Sequence, residues 1–277
     1  MNYLIDEACN PRKGADCVVS LLHHFFETYG LGEKELYCHC DNCSGQNKNS
    51  CLMWYMLWRV LTGRSTRAQV SFLLAGHTKF SPDRCFGVFK KQLKTTNIDT
   101  LQDISCLMNK SNANFSHIVG PNPDTCDVTF YHWTDFLSQF FKKIEGILSY
   151  QHFLFSADGV SVKKFCSSPL QNIDIIKSMP PKDDMPAINR LPGLSRQRQE
   201  YLYKEVRQFV SPMYQDVVCP VPTAPVMPPP VSPAPKSATP KKAATPKKAV
   251  TPKKSDTLAT NSPKPKKRTA SDSGLDT

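Results

Sequence analysis

Residues 36–61 read LYCHCDNCSGQNKNSCLMWYMLWRVL, and the fold turns on how this stretch is parsed. Residues 36–40 have the β-branched-free but alternating look of a short strand, and they lead straight into Asp41. Residues 44–49, SGQNKN, are polar and loop-like. From Cys51 to Leu61 the chain is apolar nearly all round, which predicts a buried helix that stops at Gly63. Working outward, residues 69–75, QVSFLLA, form the next strand. Gly76-His77-Thr78 is a turn, and Ser81 as cap, Pro82 at the first helical position and Asp83 in the first turn start a helix that runs to about Leu93. Upstream, residues 2–8 read as a strand. Asp16 is placed to cap a helix whose Val18, Leu21, Leu22, Phe25 and Phe26 recur at helical spacing, with Gly30 as the stop. Strand and helix alternate three times, which argues for an α/β layer fold.

Downstream the pattern predicts a helix over 101–108, a strand over 128–133 and a helix over 133–142. Residues 150–156 and 160–165 suit a hairpin about Ala157-Asp158-Gly159. Prolines dominate 179–192, a linker, and Ser195 is placed to cap a helix through Phe209 that carries Tyr201, Leu202, Val206 and Phe209 on one side. The organisation is thus a domain over 1–177, a Pro-rich linker with one helix over 178–219, and a tail over 220–277.

Charge is unevenly spread over the 277 residues. The tail holds 11 Lys and Arg against 3 Asp and Glu, so it supplies +8 of the total +11, together with 13 of the 23 prolines. With almost no large apolar side chains it cannot offset the entropy of ordering, and disorder is expected. The longest apolar run, 51–58, stops at Arg59, so no membrane span is expected. Asp6 and Glu7 stand where a secretory signal needs an apolar stretch, which points to an intracellular protein. Eleven scattered cysteines then read as free thiols rather than a disulfide framework.

Two acids are placed for chemistry. Asp41 ends a strand, and Asp83 opens a helix that follows the next strand; in a sheet with crossover helices these places can converge on one rim. Carboxylates meeting there can hold Mg2+ or Mn2+ as a clamp on a phosphodiester. Equally, Asp83 serves as a first-turn acid favoured by the helix dipole, and Asp41 as a loop acid bonding local amides. Asn42, Gln46, Asn47, Lys48 and Asn49 suit either contact with a nucleic-acid backbone or closure of a tight loop, Lys48 being the best phosphate candidate. His77 suits a phosphate or a water beside such a metal, or a plain turn. Cys38, His39, Cys40, Cys43 and Cys51 lack the paired spacing of a zinc site, since Cys38 and Cys40 share one strand face and His39 the other. Nothing in the sequence links any one cysteine to a base, as a cysteine protease needs. His23-His24 reads as a partly exposed pair on an amphipathic helix, and Trp54, Tyr55 and Trp58 as core.

The strings NYLIDEAC, DNCSGQNKN, GHTKFSPD and CFGVFKK resemble a large family of animal proteins that look transposon-derived and are catalogued as a domain of unknown function. The resemblance covers about residues 1–219 and is similar in turn to DDE-type transposases with an RNase H-like core. It implies an incomplete RNase H-like mixed sheet with flanking helices, in which Asp41 matches the second catalytic acid, Asp83 the third, and residues 2–8 the third core strand. Family members carry two strands and the first acid before this point, where the present sequence has Met1. The resemblance therefore implies a core without its central strand, and no ordinary strand transfer by this chain alone.

The tail repeats with period six: Thr239-Pro240-Lys241-Lys242, Thr245-Pro246-Lys247-Lys248 and Thr251-Pro252-Lys253-Lys254, followed by Pro265-Lys266-Lys267-Arg268. It resembles the tails of linker histones. In an extended chain six residues span ~19 Å, so successive Lys pairs can reach successive phosphates of one duplex. Residues 264–268 also fit a nuclear import signal. Three readings follow: a nuclear, transposase-derived, DNA-associated protein; a divalent-metal strand-transferase or nuclease using Asp41 and Asp83; or a protein-interaction module facing its partner through the 195–209 helix.

Overall fold

A computed structural model describes residues 1–74, 81–111, 115–120 and 126–223. The chain divides into two units, Met1–Met227 and Pro228–Thr277, and every element named below belongs to the first. The tail lysines, Arg268 and His77 lie outside the described residues.

The architecture is mixed α/β, as the alternation predicts. Strand β2 (Glu35–Cys40) feeds helix α2 (Ser50–Leu61), which crosses over to β3 (Arg67–Phe72), parallel to β2. The hairpin β5 (His152–Ser156) and β6 (Gly159–Lys163) then adds antiparallel on the other edge of β3, and β7 (Gln171–Ile173) completes a five-stranded sheet in the order β2-β3-β5-β6-β7. Gly159 holds a positive φ of 119° where it faces Ser156 across the two-residue turn, a conformation that glycine adopts without strain.

The core lies on one face of this sheet. Helix α2 is buried from Cys51 to Val60 because it sits between β3 and β5 below and α1 (Ala15–Thr28) and α5 (Trp133–Leu137) above. Trp58 and Trp133 meet edge to face with centroids 5.3 Å apart, and Trp54 Nε1 donates to the Lys142 carbonyl at 2.8 Å. Along β2, Leu36, Cys38 and Cys40 pack toward this core while Glu35, Tyr37 and His39 face out.

The structure departs from the sequence expectation at several points. Residues 2–8 make a short strand β1 (Asn2–Ile5), but it pairs in parallel with β4 (Ser116–Val119), a strand the pattern did not show, in a separate two-stranded sheet. Among the described residues the outer edge of β2 has no partner strand. Residues 128–133 form only a single bridge, Tyr131 to Ile188, and the His132 carbonyl, which would extend the ladder, accepts instead from Phe136 N–H at 3.2 Å as α5 begins. The helix predicted over 133–142 ends at Leu137: the peptide groups of Phe140 and Lys142 are claimed by the 175–178 segment, with Lys142 N–H donating to Ile175 at 2.7 Å and Lys177 N–H to Phe140 at 2.8 Å. The Pro-rich 179–192 segment lies on the domain rather than hanging from it, with Pro180 and Pro186 buried.

Helices α3 (Ser81–Leu93) and α4 (Leu101–Ser111) form where Ser81-Pro82-Asp83 and the 101–108 pattern predict them, and they pack on each other. Ser195 caps α6 (Arg196–Tyr201) by accepting from Arg198 N–H at 3.3 Å; the helix continues through a π turn and a 3-10 turn to Phe209, and α7 (Gln215–Val218) follows. Arg198 clamps Glu7 with two bonds of 2.8 and 3.0 Å, and Ser211 bonds both Asp99 oxygens, so this segment docks on the body. No helix among the described residues is long and apolar enough to cross a membrane.

Candidate functional site

Strand β2 ends by delivering Asp41 to the C-terminal rim of the sheet. The nine residues that follow form a closed knot rather than an open loop. Asp41 Oδ1 accepts from Cys43 N–H at 3.0 Å and from the Asn47 amide at 2.7 Å. The Cys43 carbonyl accepts from three successive amides, Gln46, Asn47 and Lys48, at 3.2, 2.7 and 3.0 Å. Asn49 Oδ1 then caps α2 by accepting from Leu52 N–H at 3.0 Å. The Asp41 and Asn49 side chains thus satisfy backbone N–H groups that a tight reversal would leave unpaired, and Asn47 holds Asp41 in place. Both bonds to Asp41 land on one oxygen; among the described residues Oδ2 accepts none.

Lys48 sits at the centre of the knot. Only 3 % of it is exposed, and its ammonium donates to Asn42 Oδ1 at 2.9 Å, the Leu148 carbonyl at 3.2 Å and Gln151 Oε1 at 3.4 Å, over the face of Phe72. Burial holds its pKa below the usual lysine range. An ammonium held this way faces inward, so the surface phosphate contact expected of Lys48 is not what its geometry provides. Its role is to pin Asn42, whose amide in turn donates to the Leu73 carbonyl and ties the ends of β2 and β3 together.

Asp83 is exposed in the first turn of α3, which rests on α4. The segment joining β3 to α3, residues 75–80, lies outside the described residues, and with it His77. Among the described residues, no three His, Cys, Asp or Glu side chains are grouped to hold a metal ion. The donor type at Asp41 fits Mg2+ or Mn2+, but one oriented carboxylate oxygen is short of the near-octahedral oxygen set such ions take. Burial pushes the Cys40 thiol up to about 12 and raises Cys38 as well, which disfavours the thiolate a metal would take, and none of the eleven cysteines forms a disulfide.

His23 corrects an expectation. It is buried, packed edge-on against Tyr55, Trp58, Tyr131 and Trp133, and bonded to the Tyr55 hydroxyl at 3.2 Å. Its neighbour His24 turns the other way, to Tyr3 and His117, where Tyr29 and Asp127 complete a chain of polar groups between α1 and the two-stranded sheet. The helical spacing marked both histidines as facing outward because the aromatic cage comes from residues more than 30 positions away.

Sequence reasoning also missed a row of polar groups across the sheet. His39, Ser71, His152 and Lys163 are register partners on β2, β3, β5 and β6 and share its outer face. His152 Nδ1 lies 3.0 Å from Ser71 Oγ, and its Nε2 lies 3.2 Å from the exposed thiol of Cys166. The only sequence signal was the hairpin register, which places His152 opposite Lys163, three residues short of Cys166.

Searches of the curated proteins and of the solved structures found no match. A scan of protein families matched residues 5–168, from the end of β1 past β6, to a domain of unknown function, DUF7869. That match spans more than half of the 277 residues and contains the whole Asp41 knot, so the chain belongs to the DUF7869 family.

Proposed function

We propose that this chain is a nucleic-acid-associated protein of transposase descent that performs no strand transfer on its own. The observation that carries the reading is the Asp41 knot: a carboxylate at the C-terminal end of a sheet strand, oriented through Oδ1 by Cys43 N–H and Asn47, with no hydrogen bond to Oδ2 among the described residues. Such a rim is where phosphoryl-transfer acids collect in α/β sheets. Among the described residues the outer edge of β2 is unpaired, and that is the edge where the central strand of an RNase H-like core would lie. Asp41 and Asp83 are then members of a Mg2+ or Mn2+ site, with no third acid grouped beside them among the described residues. Association with DNA rests on Lys241, Lys242, Lys247, Lys248, Lys253, Lys254, Lys266, Lys267 and Arg268, and nuclear residence on the import-like run that ends there.

The test is binding of the full chain to a random-sequence duplex over a salt series. Contact with eight or more phosphates gives a log–log slope steeper than about −7, and replacing the nine tail cations by Gln flattens it. A slope near zero for the unaltered chain overturns the reading.

A protein-interaction reading is favoured by one separate observation. Phe209, Met213 and Val217, at the end of the docked C-terminal segment, are 80, 76 and 73 % exposed, apolar surface that a partner would cover. Loss of a co-purifying or cross-linked partner on Phe209→Ser, with DNA binding unchanged, supports that reading.

A further inference from the structure

The outer sheet face carries an arrangement that neither the knot nor the tail uses. Cys166 sits in the turn just after β6, with its thiol exposed. His152 Nε2 is 3.2 Å from Cys166 Sγ, and on the far side of the ring Nδ1 is 3.0 Å from Ser71 Oγ, which also receives the Gln69 amide at 3.2 Å. Three groups in line, a nucleophile, a base and an orienter of that base, are the geometric requirement for an activated thiol. Strand pairing holds the base in place: His152 and Ser71 are direct partners across β5 and β3, so the imidazole plane is set by the sheet and not by a loop.

We propose that Cys166 is a reactive nucleophilic thiol, with His152 as its base and Ser71 as the residue that positions the base, and that it takes anionic low-molecular-weight disulfides by thiol–disulfide exchange. With the ring proton on Nδ1 donated to Ser71 Oγ, the Nε2 lone pair faces the thiol. The charged groups around the ring act in one direction. Burial first, then Lys163 on β6 and His39 on β2, hold His152 below its ordinary pKa, so the ring is neutral and able to accept a proton at neutral pH. Lys163 and Lys164 precede the thiol closely in the chain and favour an anionic co-reactant. In the step, Cys166 Sγ forms a bond to the nearer sulfur of the disulfide as that S–S bond breaks. The thiol proton passes to His152 Nε2 and then to the departing thiolate; Cys166 is oxidised to a mixed disulfide and one half of the reagent is reduced to thiol.

The protein contains its own controls, because Cys43 and Cys106 are also exposed free thiols with no histidine beside them among the described contacts. The experiment exposes the full chain to glutathione disulfide and follows each cysteine by peptide mass spectrometry. At about pH 7 Cys166 reacts at least about tenfold faster than Cys43 and Cys106. Between about pH 6 and pH 8 its rate changes by less than about threefold, a shallower pH slope than that of the controls. His152→Asn brings Cys166 down to the control rate and to the controls' pH slope, with the rates of Cys43 and Cys106 unchanged as the check on folding. The cationic disulfide cystamine reacts more slowly at Cys166 than glutathione disulfide does. A rate at Cys166 less than about tenfold above the controls, or an advantage that survives His152→Asn, overturns the proposal; a preference for cystamine overturns its anionic specificity.

Discussion

At the scale of single residues, the knot after β2 shows how one segment can carry two jobs. Lys48, Asn42, Asn47 and Asn49 are committed to closing the reversal, and that commitment is what aims Asp41. The residue types were legible as either phosphate contacts or loop closure. Which of the two holds was not, because Gln151 and the Leu148 carbonyl, which draw the Lys48 ammonium inward, come from about a hundred residues downstream. The aim of Asp41 can be tested directly. If Oδ2 takes a divalent ion, Mn2+ at ten times its Kd stabilises the full chain by about 1.4 kcal/mol, or roughly 3–5 °C in Tm for a folded unit of this size. Asp41→Ala abolishes that shift. A melt indifferent to Mn2+ in the unaltered protein removes the metal from the reading and leaves Asp41 as a loop acid.

At the scale of elements, local signals were sufficient wherever the chain pairs with or caps itself nearby, and insufficient wherever a distant segment competes. Helix α2 is the clear success: its apolar surface all round predicted a buried helix, and the structure encloses it on both sides. Its start depends on Asn49, so Asn49→Ala costs about 1 kcal/mol and lowers Tm by about 2–4 °C, measured by thermal unfolding. The hairpin at Ala157-Asp158 was equally legible, since a two-residue turn before glycine sets the register of both strands. The helix over 133–142 was cut short because residues 175–178 bond its C-terminal peptide groups. The Pro-rich 179–192 segment looked like a tether because proline breaks local structure; composition carries no information about whether the broken segment then lies on a surface. Here Ala187 and Asn189 exchange hydrogen bonds with His132 and Phe130, and two prolines are buried.

At the scale of the whole molecule, stability is linked to proton binding through His23. The cage of aromatic rings desolvates the imidazole and lowers its pKa to about 4, with Arg59, Arg64 and His24 adding to the effect and Glu27 opposing it. Because the folded state holds the ring neutral, the unfolded chain takes up a proton that the fold refuses. The contribution is complete above the ordinary histidine value and is lost as pH falls through it toward 4. Urea unfolding should therefore lose roughly 2–3 kcal/mol between about pH 7 and pH 4.5 beyond what His23→Phe loses over the same range. An equal pH response in the two proteins would mean that the ring is protonated within the fold. What the sequence alone determined about this protein follows from periodicity and composition: the α/β class, the buried crossover helix, the rim position of Asp41 and the basic, proline-rich character of the last 58 residues. These are properties of neighbours along the chain, and hydrophobic spacing reports them directly. Only the tertiary structure decided that β1 leaves the main sheet to pair with β4, that Lys48 and His23 are buried, and that His152 stands between Ser71 and Cys166. Each of those outcomes is a contact between segments far apart in sequence, chosen by burial and backbone pairing across the whole fold, which no local window records.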